Sequence, residues 1–133
     1  MRKNIRAVAA VIEKDGEFLI ARRMDGSQNG YWEFPGGKYE EGETGEQAII
    51  REIREEFSME ITVTDFLCTI SHRYPEFDLE MDCYRCHIKE GEPVLNEHSA
   101  IKWVTGDVEG IRWLPADRKV IRAYKEFLEN SRI

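Results

Sequence analysis

Three glutamates near the middle of the chain, Glu52, Glu55 and Glu56, are spaced to share one face of a helix. At ~100° per residue they fall within an arc of about 100°. By the same stepping, Ile49, Ile50, Ile53 and Phe57 form a separate packed face, and Arg51 and Arg54 point elsewhere. Two readings are open. One is a solvated acidic stripe, common on surface helices. The other is a set of oxygen ligands for Mg²⁺ or Mn²⁺. Like charges at i, i+3 and i+4 repel by roughly a few tenths of a kcal/mol each, and a divalent cation turns that repulsion into affinity.

Such carboxylates need a helix with a defined start. Thr44 supplies it, with Gln47 three residues on to complete a capping box, and the helix is predicted to run to about Phe57. Upstream, Ile5–Glu13 and Glu17–Arg23 are β-rich runs around Lys14-Asp15-Gly16, a hairpin signal. Met24–Gly30 reads as a polar loop, and Tyr31–Phe34 as a short extended piece stopped by Pro35-Gly36-Gly37. Downstream, Ile61–Arg73 and Phe77–Lys89 are long strands joined at Tyr74-Pro75-Glu76, and Ala100–Val104 is a further strand. An irregular stretch, Thr105–Leu114, leads to a second helix from Pro115 to near Asn130. Strands on both sides of one helix, with another helix at the end, predict an α/β chain: an α/β/α sandwich with a mixed sheet between helices.

The bulk properties narrow the function. At 133 residues the chain is expected to form one domain, residues 1–133, able to bury a core without disulfides. With 41% apolar and 34% charged residues it is neither disordered nor membrane-spanning by composition. The apolar run Ala7–Ile12 is too short for a span and ends at Glu13-Lys14-Asp15, so the expected location is the cytoplasm. Net charge is −7, and Lys38–Glu60 carries eight glutamates against three basic residues. No basic stripe is present for long DNA or RNA, which makes those improbable partners. A polyanionic small molecule is compatible once divalent cations invert the local field.

The odd count of three cysteines argues against a disulfide framework. Cys83 and Cys86 form a C-x-x-C, but on a strand they face opposite sides, where neither a bridge nor a shared metal is easy. His72 and His98 lack a second histidine or cysteine at zinc spacing.

Gly37, Glu43, Arg51-Glu52-Ile53, Glu55-Glu56 and Ser58-Met59 together resemble the Nudix box, G-x5-E-x7-R-E-U-x-E-E-x-G-U with U bulky and apolar. The match departs only at Ser58, where the box has glycine. That position lies just past the helix, where left-handed backbone is common, so serine costs up to about 1 kcal/mol there and removes no ligand. The resemblance runs on through Ala21-Arg22-Arg23, Trp32 to Lys38, Tyr74-Pro75, Glu97 to Trp103 and Pro115-Ala116-Asp117. These look like the MutT-type branch, which includes 8-oxo-dGTP diphosphatases and CTP pyrophosphohydrolases.

The resemblance implies Mg²⁺-dependent hydrolysis of a nucleoside triphosphate to the monophosphate and pyrophosphate. It implies as metal ligands Glu52, Glu55, Glu56, Glu97 and the Gly36 carbonyl, with Glu52 or Glu97 as the base. Glu43 and Arg51 are the implied ion pair of the box. Arg23 and Lys38 are the implied phosphate donors. Tyr74 is either a core aromatic or a platform for the base, and Asp117 either a first-turn carboxylate or a reader of the base. Two other functions share the fold: a non-catalytic nucleotide sensor, and a hydrolase of ADP-ribose-type diphosphates. Oligomeric state is not legible in these residues.

Overall fold

The computed structural model describes residues 2–24, 26–106 and 110–131. Its centre is β1 (Lys3–Lys14), a strand buried on both faces. Ala7, Ala9 and Val11 enter one apolar layer, while Val8, Ala10 and Ile12 enter the other. This is why the sequence shows an unbroken apolar run here and no alternation. Asp15 and Gly16, with φ of 52° and 81°, form the tight turn into β2 (Glu17–Arg22). Positive φ at both central residues matches the twist of the flanking strands.

After a short 3-10 turn come β3 (Trp32–Glu33) and β4 (Gly36–Lys38). The second of these corrects the expected stop at Pro35-Gly36-Gly37. The glycines pair with β1 as an antiparallel strand, Ala9 opposite Gly36 and Val8 opposite Gly37. A Cβ on Gly36 would lie 2.0 Å from the Val8 carbonyl oxygen. The strand forms because it has no side chain at that contact.

Helix α1 (Gly45–Phe57) opens with the reciprocal capping box: Thr44 Oγ1 accepts from the Gln47 N–H, and Gln47 Oε1 from the Thr44 N–H. Then follow β5 (Glu60–Arg73), β6 (Phe77–Glu90), β7 (Ala100–Val104) and α2 (Pro115–Asn130). The strand order is β3-β2-β1-β6-β5, with β4 also on β1 and β7 also on β2. β1 and β6 run parallel and the other paired strands antiparallel, so the sheet is mixed. Helix α2 covers one face through Ala116, Val120, Ile121 and Tyr124, and α1 the other through Ala48, Ile49, Ile53 and Phe57. The expected sandwich is therefore the observed one. Part of the irregular stretch after β7, residues 107–109, lies outside the described residues. Among those described, no helix is long and apolar enough to cross a membrane.

Candidate active site

Both glycines of β4 face a cleft of about 590 Å³, lined also by Arg23, Met24, Glu33, Lys38, Glu56, Asn96, Glu97 and His98. Arg23, Glu33, Gly36, Gly37 and Lys38 also line a smaller cavity of about 150 Å³. Its walls are Ile5, Ala7, Phe34, Tyr74, Leu79, Met81 and Leu114, with Asp117 within. The first chamber is the wider and the more polar of the two, and the second is narrow and mostly apolar. This is the division a phosphate chain and a base would require.

Helix α1 supplies the acidic wall. Glu56 is only 8% exposed, at the margin of the packed face beside Phe57. Burial and the facing carboxylates of Glu52, Glu33 and Glu97 push its carboxyl up to about 9. Glu52 is raised as well, by burial first, against the opposing pull of Arg51. Glu52 and Glu97 both bear on Glu56 electrostatically, although no three Asp, Glu, His or Cys side chains converge on one point among the described residues. Glu55 stands apart, with its side chain 56% exposed.

Arg51 corrects the helical-wheel reading that turned it away from these acids. Its guanidinium reaches Glu43 at 2.6 and 2.9 Å, Glu52 at 2.9 Å, Glu55 at 3.2 Å and the Lys38 carbonyl at 2.9 Å. Stepping by angle locates only the Cβ, whereas a long side chain with five N–H donors swings across the face. Glu43 is thereby held below the usual carboxylate range, and β4 is tied to α1. Arg54 does leave the cluster, pairing with Glu60 at 2.6 Å.

Gly37 lies under Glu52. A Cβ there would come within 2.3 Å of Glu52 Oε2, and one on Gly36 would strike backbone. The two glycines should thus fail differently. Gly37→Ala displaces only a side chain, so it is expected to keep the fold and lose at least tenfold in turnover. Gly36→Ala is expected to unfold at markedly lower urea. Paired unfolding curves and kcat values check this.

Glu97 lies on the loop before β7, and its neighbours are tied on each side. Asn96 Nδ2 donates to the Glu55 carbonyl at 3.1 Å and to Ser58 Oγ at 3.3 Å. The Ser99 N–H donates to the Arg22 carbonyl at 3.0 Å. Ser58 has the left-handed backbone expected of it, φ 56°, and its hydroxyl compensates by holding this loop. Ser58→Gly is expected to shift stability by less than about 1 kcal/mol, relieved strain offsetting the lost bond. Turnover should fall several-fold, measured alongside the urea midpoint.

Two residues missed from sequence complete the site. His98 is buried, stacks on Phe57 with ring centroids 5.3 Å apart, and bonds Glu33 Oε2 through Nε2 at 2.8 Å. Glu33 in turn takes Arg23 at 3.2 Å. The pair Glu97-His98 was the available signal, but a single histidine without a ligand partner gave no reason to choose it. Lys38 is exposed on the cleft. Tyr74 lines the inner cavity, its hydroxyl accepting the Ala116 N–H at 3.2 Å. Asp117 is 5% exposed and accepts the Phe34 N–H at 2.8 Å. Burial foremost, and then Glu33, hold its carboxyl well above the ordinary range.

A mixed sheet between two helices, with acidic groups of one helix under a glycine-lined cleft, defines an α/β/α sandwich class with an acidic site at the sheet. The NUDIX domain family matches residues 7–123. The CTP pyrophosphohydrolase of Escherichia coli K12 is 35% identical over 127 residues, 92% of each chain. The 8-oxo-dGTP diphosphatase of Proteus vulgaris is 40% identical over 77 residues, 56% of this chain and 69% of that one. The solution structure of the E. coli ORF135 protein superposes with a TM-score of 0.81 at 32% identity, covering 95% of this chain and 91% of that one. The chain belongs to the Nudix family, and it is a Nudix hydrolase of the MutT type.

Proposed function

We propose that this hydrolase cleaves a nucleoside triphosphate to the monophosphate and pyrophosphate, with Mg²⁺ or Mn²⁺ as cofactor. The observation that carries the reading is Glu56: a buried carboxyl facing three others in the cleft, beside a cavity of base dimensions. Its Oε2 has no hydrogen-bond partner among the described residues. An all-oxygen donor set with one orphaned buried oxygen fits a hard divalent cation.

Glu52, Glu56 and Glu97 would hold the ion with the Gly36 carbonyl, and Glu55 would join them by leaving its contact with Arg51. When bound, the cation neutralises phosphate charge and acidifies water. Arg23, fixed by Glu33, and Lys38 bind phosphate oxygens. Glu52, clamped by Arg51 and raised by burial, accepts the proton of the attacking water in this reading, with Glu97 the other candidate. Tyr74 and Asp117 receive the base in the inner cavity.

A panel of nucleoside triphosphates and ADP-ribose with Mg²⁺, scored for monophosphate and pyrophosphate, tests this proposal. Pyrophosphate release from a triphosphate supports it; cleavage of ADP-ribose alone, or none, overturns it. Glu97→Ala is expected to lower kcat by tenfold or more while leaving thermal stability nearly unchanged, because loops carry function with little structural cost.

A further inference from the structure

Cys68 on β5 lies directly opposite Cys83 on β6. A register shift between Phe66 and Cys68 sets this pairing. Both side chains enter the apolar layer beneath α2, with Cys83 fully buried and Cys68 partly exposed. Opposed residues on antiparallel strands have Cα atoms about 4.5–5.5 Å apart. That range falls within the roughly 4.4–6.8 Å span of disulfides. Cys86, three residues on, is buried in the opposite layer and cannot join them.

We propose that Cys68 and Cys83 are a site of reversible oxidation by peroxide, closing to a cross-strand disulfide. The two thiols face each other across the paired strands, and the Cys83 thiol donates to the Met81 carbonyl at 3.7 Å. Their proximity draws the Cys68 thiol below its ordinary range, while the same proximity and burial push Cys83 up. The roles follow from this asymmetry. Cys68, as thiolate and within reach of solvent, attacks one peroxide oxygen; the O–O bond breaks, and the leaving hydroxide takes a proton to become water. The sulfur of Cys83 then attacks the Cys68 sulfenic acid, and its own proton leaves with the hydroxyl as a second water. Two thiols and one peroxide give one disulfide and two waters.

The bridge would close a loop of about 15 residues containing the Tyr74-Pro75-Glu76 turn. It would lie two residues from Met81, which lines the inner cavity. Oxidation therefore braces the β5–β6 wall of that cavity without using any residue of the acidic cleft.

The test is one equivalent of hydrogen peroxide on the reduced, folded protein, followed by alkylation under denaturing conditions, intact mass and peptide mapping. The expected result is loss of two hydrogens, one of three thiols left to alkylate, and Cys68 joined to Cys83. Dithiothreitol should reverse it, and the oxidised chain should unfold at higher urea than the reduced one. Cys68→Ser should show no such bridge. Sulfinic acid at Cys68 with Cys83 still a thiol, a bridge between two chains, or an unchanged mass would each overturn the proposal. Mapping of the wild type decides the matter even where the serine variant folds poorly.

Discussion

Glu56→Gln is expected to lose at least a hundredfold in kcat, about 2.7 kcal/mol on the barrier, and yet to melt at a higher temperature than the wild type in chelator. The two effects share a cause. Burial and the carboxylates of Glu52, Glu33 and Glu97 hold the Glu56 carboxyl at about 9. The folded chain therefore keeps a proton that the unfolded chain releases near 4.5. Where the folded state binds more protons, stability falls as pH rises, here through the window from about 4.5 to about 9. An amide removes that linkage, so in chelator the variant should lose less stability than the wild type between pH 5 and pH 9. The gain at pH 8 should be about 3 °C or more, at roughly 4 °C per kcal/mol for a domain of this size. Excess Mg²⁺ should reverse the order, because it stabilises only the protein that binds it well. Thermal melts at several pH values, with and without Mg²⁺, check both signs. Full turnover by the folded variant would remove Glu56 from the mechanism.

Much of this scaffold is legible in the sequence because local chemistry and global placement agree. The apolar run Ala7–Ile12 announces a strand covered on both faces, and both helices cover it. Thr44 and Gln47 fix the start of α1 to the residue, which in turn fixes the phase of Glu52 and Glu56. Three features were hidden for distinct reasons. Pairing of β4 is made by backbone alone, so Gly36 and Gly37 carry no periodic signal for it. The reach of Arg51 to four glutamates (Glu40, Glu43, Glu52 and Glu55) depends on side-chain torsions that angular stepping ignores. The line Phe57–His98–Glu33–Arg23 joins α1, the Glu97 loop, β3 and the end of β2, and no spacing rule connects residues from four separate segments.

The protonation of Asp117 is the fourth hidden feature, and it leads to a prediction about base choice. An ionised aspartate only accepts, which suits the cytosine amino group and repels guanine O6 unless the carboxyl holds a proton in a dry pocket. In the fold it is buried beside Glu33, and both effects favour the neutral acid. Oδ1 takes the Phe34 N–H, so a proton on the other oxygen can be offered to a base. A neutral Asp117 suits O6 of a guanine-type base; an ionised one suits N4 of cytosine. Because its carboxyl is raised, the proton is held above the ordinary carboxylate range and lost only as pH climbs through the raised value. The ratio of kcat/KM for 8-oxo-dGTP over dCTP should therefore fall as pH rises. Asp117→Asn keeps a permanent N–H donor and cannot ionise, so its ratio should be flat with pH. At the alkaline end that ratio should exceed the wild-type value by about 5- to 150-fold, the equivalent of about 1–3 kcal/mol for a directly read base. Parallel kinetics on the two substrates across pH, with wild type and variant, measure it. If both proteins give the same pH-independent ratio, Asp117 serves the Phe34 N–H alone, and base choice falls to Tyr74 and the apolar walls around it.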